Sequence, residues 1–208
     1  MITIDKITDA VKYVTEYKLV IFDLDDTLYS EKEYVRSGYK AIADAFPEFC
    51  GIEQKMWNAF EQRLNAIDVA LNEMGIYDEG IHRECLKIYR EHCPQIMLYD
   101  GVREMLQTIR DQSKIIGLIT DGRPKGQRNK IQALSLEEMV DHIIITDELG
   151  GVQYRKPNEM AFKIMQDTYK IPFEKMVYIG DNQSKDFIAP QKLGMGYIYF
   201  LNSNGLYV

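Results

Sequence analysis

The stretch Val20-Ile21-Phe22-Asp23-Leu24-Asp25-Asp26-Thr27-Leu28 decides the fold of this chain. Its first residues, together with Leu19, form an apolar, β-branched and aromatic run that is typical of a strand buried on both faces of a parallel sheet. Carboxylates follow at once, and ligands bind at the carboxyl ends of such strands. Asp23 and Asp25 lie two residues apart, so their side chains point to the same side of an extended chain and repel each other. A cation, a proton or exposure to water relieves that repulsion.

A purely structural interpretation of this stretch stays open. Asp26 and Thr27 are residue types that cap helices and stabilise tight turns through their side-chain oxygens. The carboxylates then form an acidic connection between a strand and the next element. The rest of the chain distinguishes this interpretation from a ligand site.

The composition of the 208 residues is that of an ordinary soluble globular protein, with 46% hydrophobic and 27% charged residues. The formal net charge of -7 disfavours nucleic acid or an anionic membrane as the main partner. The three cysteines form no CxxC pair and are odd in number, which favours a reducing compartment. No apolar run approaches the roughly 20 residues that a membrane helix needs, and the first residues lack the pattern of a secretory signal. We therefore expect a cytoplasmic protein with no membrane and no nucleic acid as partner; the sequence indicates no oligomeric state.

Regular alternation of helical and strand patterns begins at Asp100. Helices are predicted over 102–110, 125–134, 158–169 and 184–193, and strands over 114–120, 142–146, 176–180 and 197–201. Such alternation predicts an α/β fold with a doubly wound, mostly parallel, Rossmann-like sheet. Residues 2–17 have apolar side chains at spacings of three and four and are predicted to form an amphipathic helix.

The segment 31–97 interrupts this pattern with helical spacings and few strand signals. Three helices are predicted within it, over 33–46, 54–74 and 80–92, and glycine or proline residues separate them. Because the α/β pattern resumes directly afterwards, we predict a core domain formed by residues 1–30 and 98–208 and an inserted α-helical domain formed by residues 31–97.

Short polar motifs accompany the later predicted strands. Ile119-Thr120-Asp121-Gly122 ends one strand, Gly180-Asp181-Asn182 ends another, and Arg155-Lys156-Pro157 precedes the helix between them. Each motif alone is an ordinary turn or helix start. Parallel strands end at one edge of a sheet, so these motifs and the first one are expected to lie close together.

Four motifs in order carry a family resemblance. They are Phe22 to Leu28, Ile119 to Gly122, Arg155 to Pro157, and Gly180-Asp181-Asn182-Gln183-Ser184-Lys185-Asp186. Together they resemble the four motifs of the haloacid dehalogenase (HAD) superfamily, at the usual spacings and over residues 18–201. The helical insertion between the first two motifs resembles the cap of the first capped class, the phosphatase-like subfamily I. The resemblance implies a cap that closes over the site, excludes water and selects the leaving group.

The resemblance implies a role for each motif residue. Asp23 is the nucleophile that forms an aspartyl-phosphate, and Asp25 carries a proton to the leaving oxygen and from the attacking water. Lys156 and Thr120 face the oxygens of the transferring phosphoryl group. Contacts to the substrate or its phosphate are assigned to Leu24, Asp121, Gly122 and Arg123.

A cation is required because a phosphate dianion that approaches Asp23 also meets other carboxylates. The resemblance implies Mg²⁺ as the cofactor. Its implied ligands are the carboxylate of Asp23, the backbone carbonyl of Asp25, and the carboxylates of Asp181 and Asp186. Asp121 is a departure from the family pattern, since many relatives carry Asn there. It either faces a helix N-terminus or disfavours dianionic groups nearby.

Asp25 favours phosphoryl transfer over dehalogenation, because a halide leaves without a proton. The favoured activity is that of a phosphoric monoester hydrolase on a small phosphorylated molecule, such as a sugar phosphate or a nucleoside monophosphate. A phosphomutase on the same scaffold is the alternative, and a catalytically silent regulatory or binding module is a weaker one. A signalling receiver domain is disfavoured, because such domains are much shorter and lack a helical insertion.

Overall fold

The computed structural model describes residues 2–206, and a six-stranded sheet forms the centre of one of its two compact units. The strands are β1 (Ile2–Ile4), β2 (Leu19–Phe22), β3 (Ile115–Thr120), β4 (His142–Ile145), β5 (Met176–Gly180) and β6 (Gly196–Phe200). Their order in space is β1-β6-β5-β2-β3-β4, and all neighbouring pairs are parallel. The predicted α/β fold with a doubly wound parallel sheet is confirmed. We call this unit, which contains residues up to Glu31 and from Met97 onward, the core unit.

Strand β2 occupies the middle of the sheet because all four of its side chains are apolar and buried. Phe22 lies opposite Leu118 of β3 and opposite Ile179 of β5. The backbone N–H of Asp23 continues the ladder by donating to the carbonyl of Ile179 at 2.9 Å. Asp23 therefore lies at the carboxyl edge of the sheet, level with the ends of both neighbouring strands.

The hydrophobic core on one face of the sheet contains alternate residues of β2. Leu19 and Ile21 belong to a buried cluster with Phe162, Met165 and Tyr178. Tyr178 and Phe162 meet edge to face, with ring centroids 5.2 Å apart. Because the sheet residues alternate between faces, Val20 and Phe22 are buried on the opposite side.

Four helices of the core unit connect the later strands. They are α5 (Val102–Asp111), α6 (Pro124–Ala133), α7 (Met160–Tyr169) and α8 (Ile188–Leu193). The last begins four residues later than predicted, because side chains bind the backbone there. The Asn182 side chain accepts from the N–H of Ser184 at 3.0 Å, and Asp186 accepts from the N–H of Asn182 at 2.9 Å. Such local bonds compete with a helix.

The predicted helix over residues 2–17 is wrong. Ile2–Ile4 is an edge strand paired with β6, and Ile7–Tyr13 is a 3-10 helix. Ile4 is buried at the end of β1, and Ile7 and Ala10 are buried three residues apart in the 3-10 helix, which repeats every three residues. The apolar pattern was therefore compatible with both structures, and the unpaired backbone of β6 decided between them.

The helical unit, Lys32–Ile96, is compact and has its own hydrophobic core. Its helices are α1 (Glu31–Ala45), α2 (Ile52–Glu61), α3 (Ala66–Glu73) and α4 (Glu79–Glu91). The single helix predicted over 54–74 is wrong, since Arg63 adopts a left-handed conformation with φ of 60° and ends α2. No glycine or proline marks that break in the sequence. No helix within residues 2–206 is long and apolar enough to cross a membrane.

Truncation of Phe162 tests the packing of α7 on the sheet. Phe162 has no exposed surface, and Phe162→Ala removes its contact with Tyr178 and leaves a cavity. We expect the free energy of unfolding to fall by about 3–5 kcal/mol, measured by urea denaturation followed by circular dichroism. The control is Met160→Ala on the same helix, where the side chain is 41% exposed and the expected change is within about 0.5 kcal/mol. Equal losses in both variants contradict this assignment of the core.

Candidate active site

A buried lysine connects the acids at the ends of two strands. The ammonium nitrogen of Lys156 lies 2.5 Å from Oδ1 of Asp23, after β2, and 2.8 Å from Oδ1 of Asp186, after β5. It also donates to the hydroxyl of Tyr178 at 2.6 Å. All of these groups are buried, so the charges are poorly screened by water and the contacts are strong.

The pKa values in this group follow from burial and from the surrounding charges. Burial raises the pKa of Asp23 to about 6, although Lys156 opposes the shift. Burial alone disfavours the charged form of Lys156, but Asp186 and Asp23 outweigh it and hold the pKa of Lys156 well above its usual range. At neutral pH, Asp23 is therefore mostly an ionised carboxylate beside a cation, as a nucleophile requires.

Asp23, Asp181 and Asp186 offer carboxylate oxygens within 4.8 Å of one another. Burial and the charges of Asp23 and Asp186 raise the pKa of Asp181 to about 8. Three hard oxygen donors at such distances fit a hard divalent cation, which replaces the proton and relieves the repulsion. Three of the four predicted metal ligands therefore lie together.

The fourth, Asp25, was predicted to bind through its backbone carbonyl, and its carboxylate has separate partners. Oδ1 lies 2.7 Å from the ammonium of Lys130 and accepts from the hydroxyl of Tyr29. Oδ2 accepts from the side-chain amide of Gln127 at 2.8 Å. Burial disfavours the ionised form, but the Lys130 charge and these hydrogen bonds prevail and lower the pKa of Asp25.

Asp121 supports the loop that carries Lys156. Its Oδ1 accepts from the hydroxyl of Thr146 at 2.8 Å and from the backbone N–H of Lys156 at 3.1 Å. Its Oδ2 lies 3.7 Å from the ammonium of Lys185. The additional negative charge is therefore compensated by these partners. The following residue, Gly122, has φ of 141°, which a residue with a side chain adopts only under strain.

A cavity of about 160 Å³ opens at this edge of the sheet. It is lined by Asp23, Asp25, Glu31, Asp121, Arg155, Asp181, Asn182 and Lys185. Of the residues predicted to bind substrate or phosphate, Asp121 lines the cavity, whereas Arg123 is exposed and Leu24 is fully buried. In the described part of the chain, the lining includes neither of these two nor Gly122. The roles predicted for Leu24, Gly122 and Arg123 stay predictions.

Several residues at this edge were missed in the sequence. Lys185 and Glu31 line the cavity, and burial together with the charge of Asp25 raises the pKa of Glu31 to about 8. Gln127 and Lys130 lie three positions apart in α6 and are both buried. Their spacing can be read from the sequence, but the direction in which their side chains point depends on how the helix packs.

The family described as haloacid dehalogenase-like hydrolase matches residues 20–200. The chain belongs to this family. The resemblance stated from the four motifs, and with it the prediction of a hydrolase, is confirmed.

Relatives of this hydrolase are similar over most of its length. It is 28% identical over 198 residues to a glyceraldehyde 3-phosphate phosphatase of Methanocaldococcus jannaschii, covering 86% of this chain and 82% of the relative. It is 24% identical over 204 residues to a protein of the same name from Pyrococcus abyssi, covering 88% and 81%.

Solved structures share the fold of this hydrolase. A predicted phosphoglycolate phosphatase from Haemophilus somnus has a TM-score of 0.63 at 20% identity, covering 93% of this chain and 89% of that one. A 2-haloacid dehalogenase from Pseudomonas syringae has a TM-score of 0.60 at 22% identity, covering 88% and 86%. The same fold therefore occurs in proteins with different names.

The third acid of the first motif has a structural position in this hydrolase. Asp26 is buried in a left-handed conformation with φ of 52°. Its carboxylate accepts from the backbone N–H of Glu31 at 2.8 Å and from that of Leu206 at 2.7 Å. The Asn202 side chain donates to its carbonyl at 2.7 Å. Asp26 thus joins the loop after β2 to the end of the described chain.

Substitution of Asp26 tests this position. Asp26→Ala leaves two backbone N–H donors without their acceptor. It also places alanine, which has a β-carbon but no polar side chain, in the left-handed region. We expect a loss of about 2–4 kcal/mol in the free energy of unfolding, measured by urea denaturation. Asp26→Asn tolerates the backbone conformation and keeps one acceptor oxygen, so a smaller loss is expected. An unchanged stability in Asp26→Ala contradicts the assigned role.

Proposed function

We propose that this hydrolase is a magnesium-dependent phosphatase that hydrolyses a small phosphomonoester through an aspartyl-phosphate. The observation that carries the proposal is the separation of two neighbouring carboxylates: Asp23 contacts Lys156 and the acidic cluster, and Asp25 contacts Lys130 and Gln127. Two carboxylates in different environments suit two different tasks. The names of the relatives support a sugar phosphate, of the glyceraldehyde 3-phosphate type, as the substrate class.

The first step forms a bond between a carboxylate oxygen of Asp23 and the phosphorus atom. The bond from phosphorus to the ester oxygen breaks, and Asp25 donates a proton to that oxygen, so the product leaves as an alcohol. Lys130 keeps Asp25 ionised before the substrate is present. The negative charge of an arriving phosphate disfavours that ionised form, so Asp25 takes up a proton from the solvent and then donates it to the ester oxygen.

The second step hydrolyses the aspartyl-phosphate. A water oxygen attacks phosphorus, the bond from phosphorus to Asp23 breaks, and the water proton passes to Asp25. Inorganic phosphate leaves and the Asp23 carboxylate is restored. Asp25 thus acts as acid in one step and as base in the next.

Lys156 and Thr120 stabilise the phosphoryl oxygens in this proposal. Lys156 supplies a fixed charge, and Thr120, fully buried at the end of β3, supplies a hydroxyl donor. Asp23, Asp181 and Asp186 would hold Mg²⁺, which when bound would supply positive charge to the phosphate and to the developing transition state. The backbone carbonyl of Asp25 stays its fourth predicted protein ligand. Two further predictions stay predictions: that residues 31–97 form a cap that selects the leaving group, and that the protein is cytoplasmic.

Asp25 separates this proposal from dehalogenation, and a phosphomutase remains the alternative. A dehalogenase releases a halide without a proton and needs no acid at this position. A mutase returns the phosphoryl group to a bound intermediate instead of water. Release of phosphate from a bisphosphorylated sugar without net isomerisation supports the phosphatase, and efficient isomerisation supports the mutase.

Phosphate release tests the activity directly. With p-nitrophenyl phosphate and Mg²⁺, we expect Asp23→Asn to lose about 10³-fold or more in kcat, because the amide is no nucleophile. Asp9→Asn, at a surface ion pair, is the control and should keep its activity. A panel of glyceraldehyde 3-phosphate, hexose phosphates and nucleoside monophosphates then ranks substrates by kcat/KM. Activity that survives in Asp23→Asn excludes the proposed nucleophile.

Magnesium binding should depend on pH through Asp181. Its raised pKa means that the metal-free protein gains stability from the bound proton at low pH and loses it as the pH rises through about 8. Mg²⁺ displaces that proton, so it binds more tightly above pH 8 than near pH 6. At a concentration of about 100 times Kd, we expect the melting temperature to rise by about 5–10 °C.

The control for this experiment is Asp181→Asn, measured by differential scanning fluorimetry with and without Mg²⁺. The amide cannot titrate, so the change in the Mg²⁺ effect around pH 8 should disappear, the change around pH 6 that belongs to Asp23 should remain, and the effect itself should shrink. A magnesium effect in Asp181→Asn equal to that of the unmodified protein at every pH contradicts the assigned ligand.

A further inference from the structure

Two buried polar side chains of α6 point at the acid–base residue. Gln127 is 3% exposed and Lys130 is 5% exposed, although both residue types are mostly exposed in proteins. They are three positions apart, so they lie on the same side of the helix. Burial of a lysine is costly unless a partner compensates its charge. Asp25, 2.7 Å away, is such a partner for Lys130.

The amide of Gln127 bridges two motifs. Its nitrogen lies 2.8 Å from Oδ2 of Asp25, 2.5 Å from the hydroxyl oxygen of Thr120 and 3.0 Å from the carbonyl of Asp121. Two of these groups are acceptors only, so the NH₂ end of the amide must face them. The nitrogen carries only two hydrogens, so the three contacts share them, and it accepts none, so the hydroxyl hydrogen of Thr120 is not directed at Gln127 and can point at another acceptor.

The Asp25 carboxylate is thereby held at both oxygens. Lys130 and Tyr29 contact Oδ1, and Gln127 contacts Oδ2. A carboxylate held at both ends cannot rotate freely, and proton transfer requires a fixed distance and direction to the leaving oxygen.

We propose that Gln127 and Lys130 are positioning residues that hold the carboxylate of Asp25 in line with the leaving oxygen, and that Gln127 also orients the Thr120 hydroxyl toward the phosphoryl group. This inference rests on the proposed phosphatase function. In this proposal neither side chain binds the substrate; both act through Asp25, and Gln127 also through Thr120. Substitution of Gln127 or Lys130 should therefore reduce the rate most for substrates whose leaving group most needs a proton.

Two aryl phosphates test this requirement. Phenyl phosphate releases a basic phenolate that gains from protonation as its bond to phosphorus breaks, whereas p-nitrophenyl phosphate releases a weakly basic anion. Asp25→Asn sets the reference and should lose about 10²–10⁴-fold in kcat/KM on phenyl phosphate and much less on p-nitrophenyl phosphate. Lys130→Met should also lose more on phenyl phosphate than on p-nitrophenyl phosphate, by about tenfold or more in kcat/KM. Lys130→Arg should recover part of that loss.

Gln127→Leu separates the two parts of the proposal. It should lose activity on both substrates, because Thr120 is affected, and lose further on phenyl phosphate, because Asp25 is affected. The matched control is Arg128→Met. Arg128 lies on the same helix but is exposed and paired with Glu148, so this variant should leave kcat/KM on both substrates nearly unchanged. Circular dichroism and melting temperature identify any variant that fails to fold, and Lys130→Gln then replaces Lys130→Met.

A double-mutant cycle decides whether Lys130 acts through Asp25. In the Asp25→Asn background, Lys130→Met should cost less than about threefold on phenyl phosphate, because its target is already lost. If Lys130→Met loses activity equally on the two substrates, or loses as much in the Asp25→Asn background as alone, this inference is overturned while the phosphatase function stands. Full activity of Asp23→Asn overturns the phosphatase function and this inference with it.

Discussion

The site depends on the contacts that the buried ammonium of Lys156 makes with the surrounding acids. It lies between Asp23 and Asp186, so it compensates acids that follow two different strands. Removal of one partner from such a buried pair typically costs about 3–5 kcal/mol, because the remaining charge stays buried. Tyr178 connects this group to the core, since its hydroxyl accepts from Lys156 and its ring packs on Phe162. The stability of the sheet and the charge balance of the site are therefore coupled.

A second lysine makes the two acids of the first motif chemically different. Asp23 and Asp25 are two residues apart, yet the pKa of Asp23 is raised to about 6 while that of Asp25 is lowered. Burial dominates the shift of Asp23, whereas at Asp25 the charge of Lys130 and the hydrogen bonds from Lys130, Tyr29 and Gln127 together outweigh the effect of burial. Opposite shifts of this kind characterise pairs of carboxylates with separate tasks. Helix α6 thus contributes to the site although no family motif lies within it.

Errors in the predicted elements occurred where a local pattern fits two structures. Residues 2–4 carry apolar side chains that suit a helix or a strand, and the free edge of β6 selected the strand. The helix predicted over 54–74 breaks at Arg63 without a glycine or proline to mark it. The start of α8 was displaced because Asn182 and Asp186 bind backbone groups of their own turn. The interior strands were predicted well because an uninterrupted apolar run has few alternatives.

The sequence alone determined the parallel α/β architecture and the meeting of Asp23, Asp181 and Asp186, because acids that follow parallel strands share one edge of the sheet. Lys156 joins them because it lies in the connection from β4 to α7, at the same edge. Only the tertiary structure decided which cation belongs to which acid. Lys130 is 105 residues from Asp25, and Gln127 is 102 residues from it. No sequence spacing encodes such a contact, because it depends on the rotation of α6 against the sheet. Packing, rather than any motif, therefore separated the two carboxylates of Val20 to Leu28 into different environments.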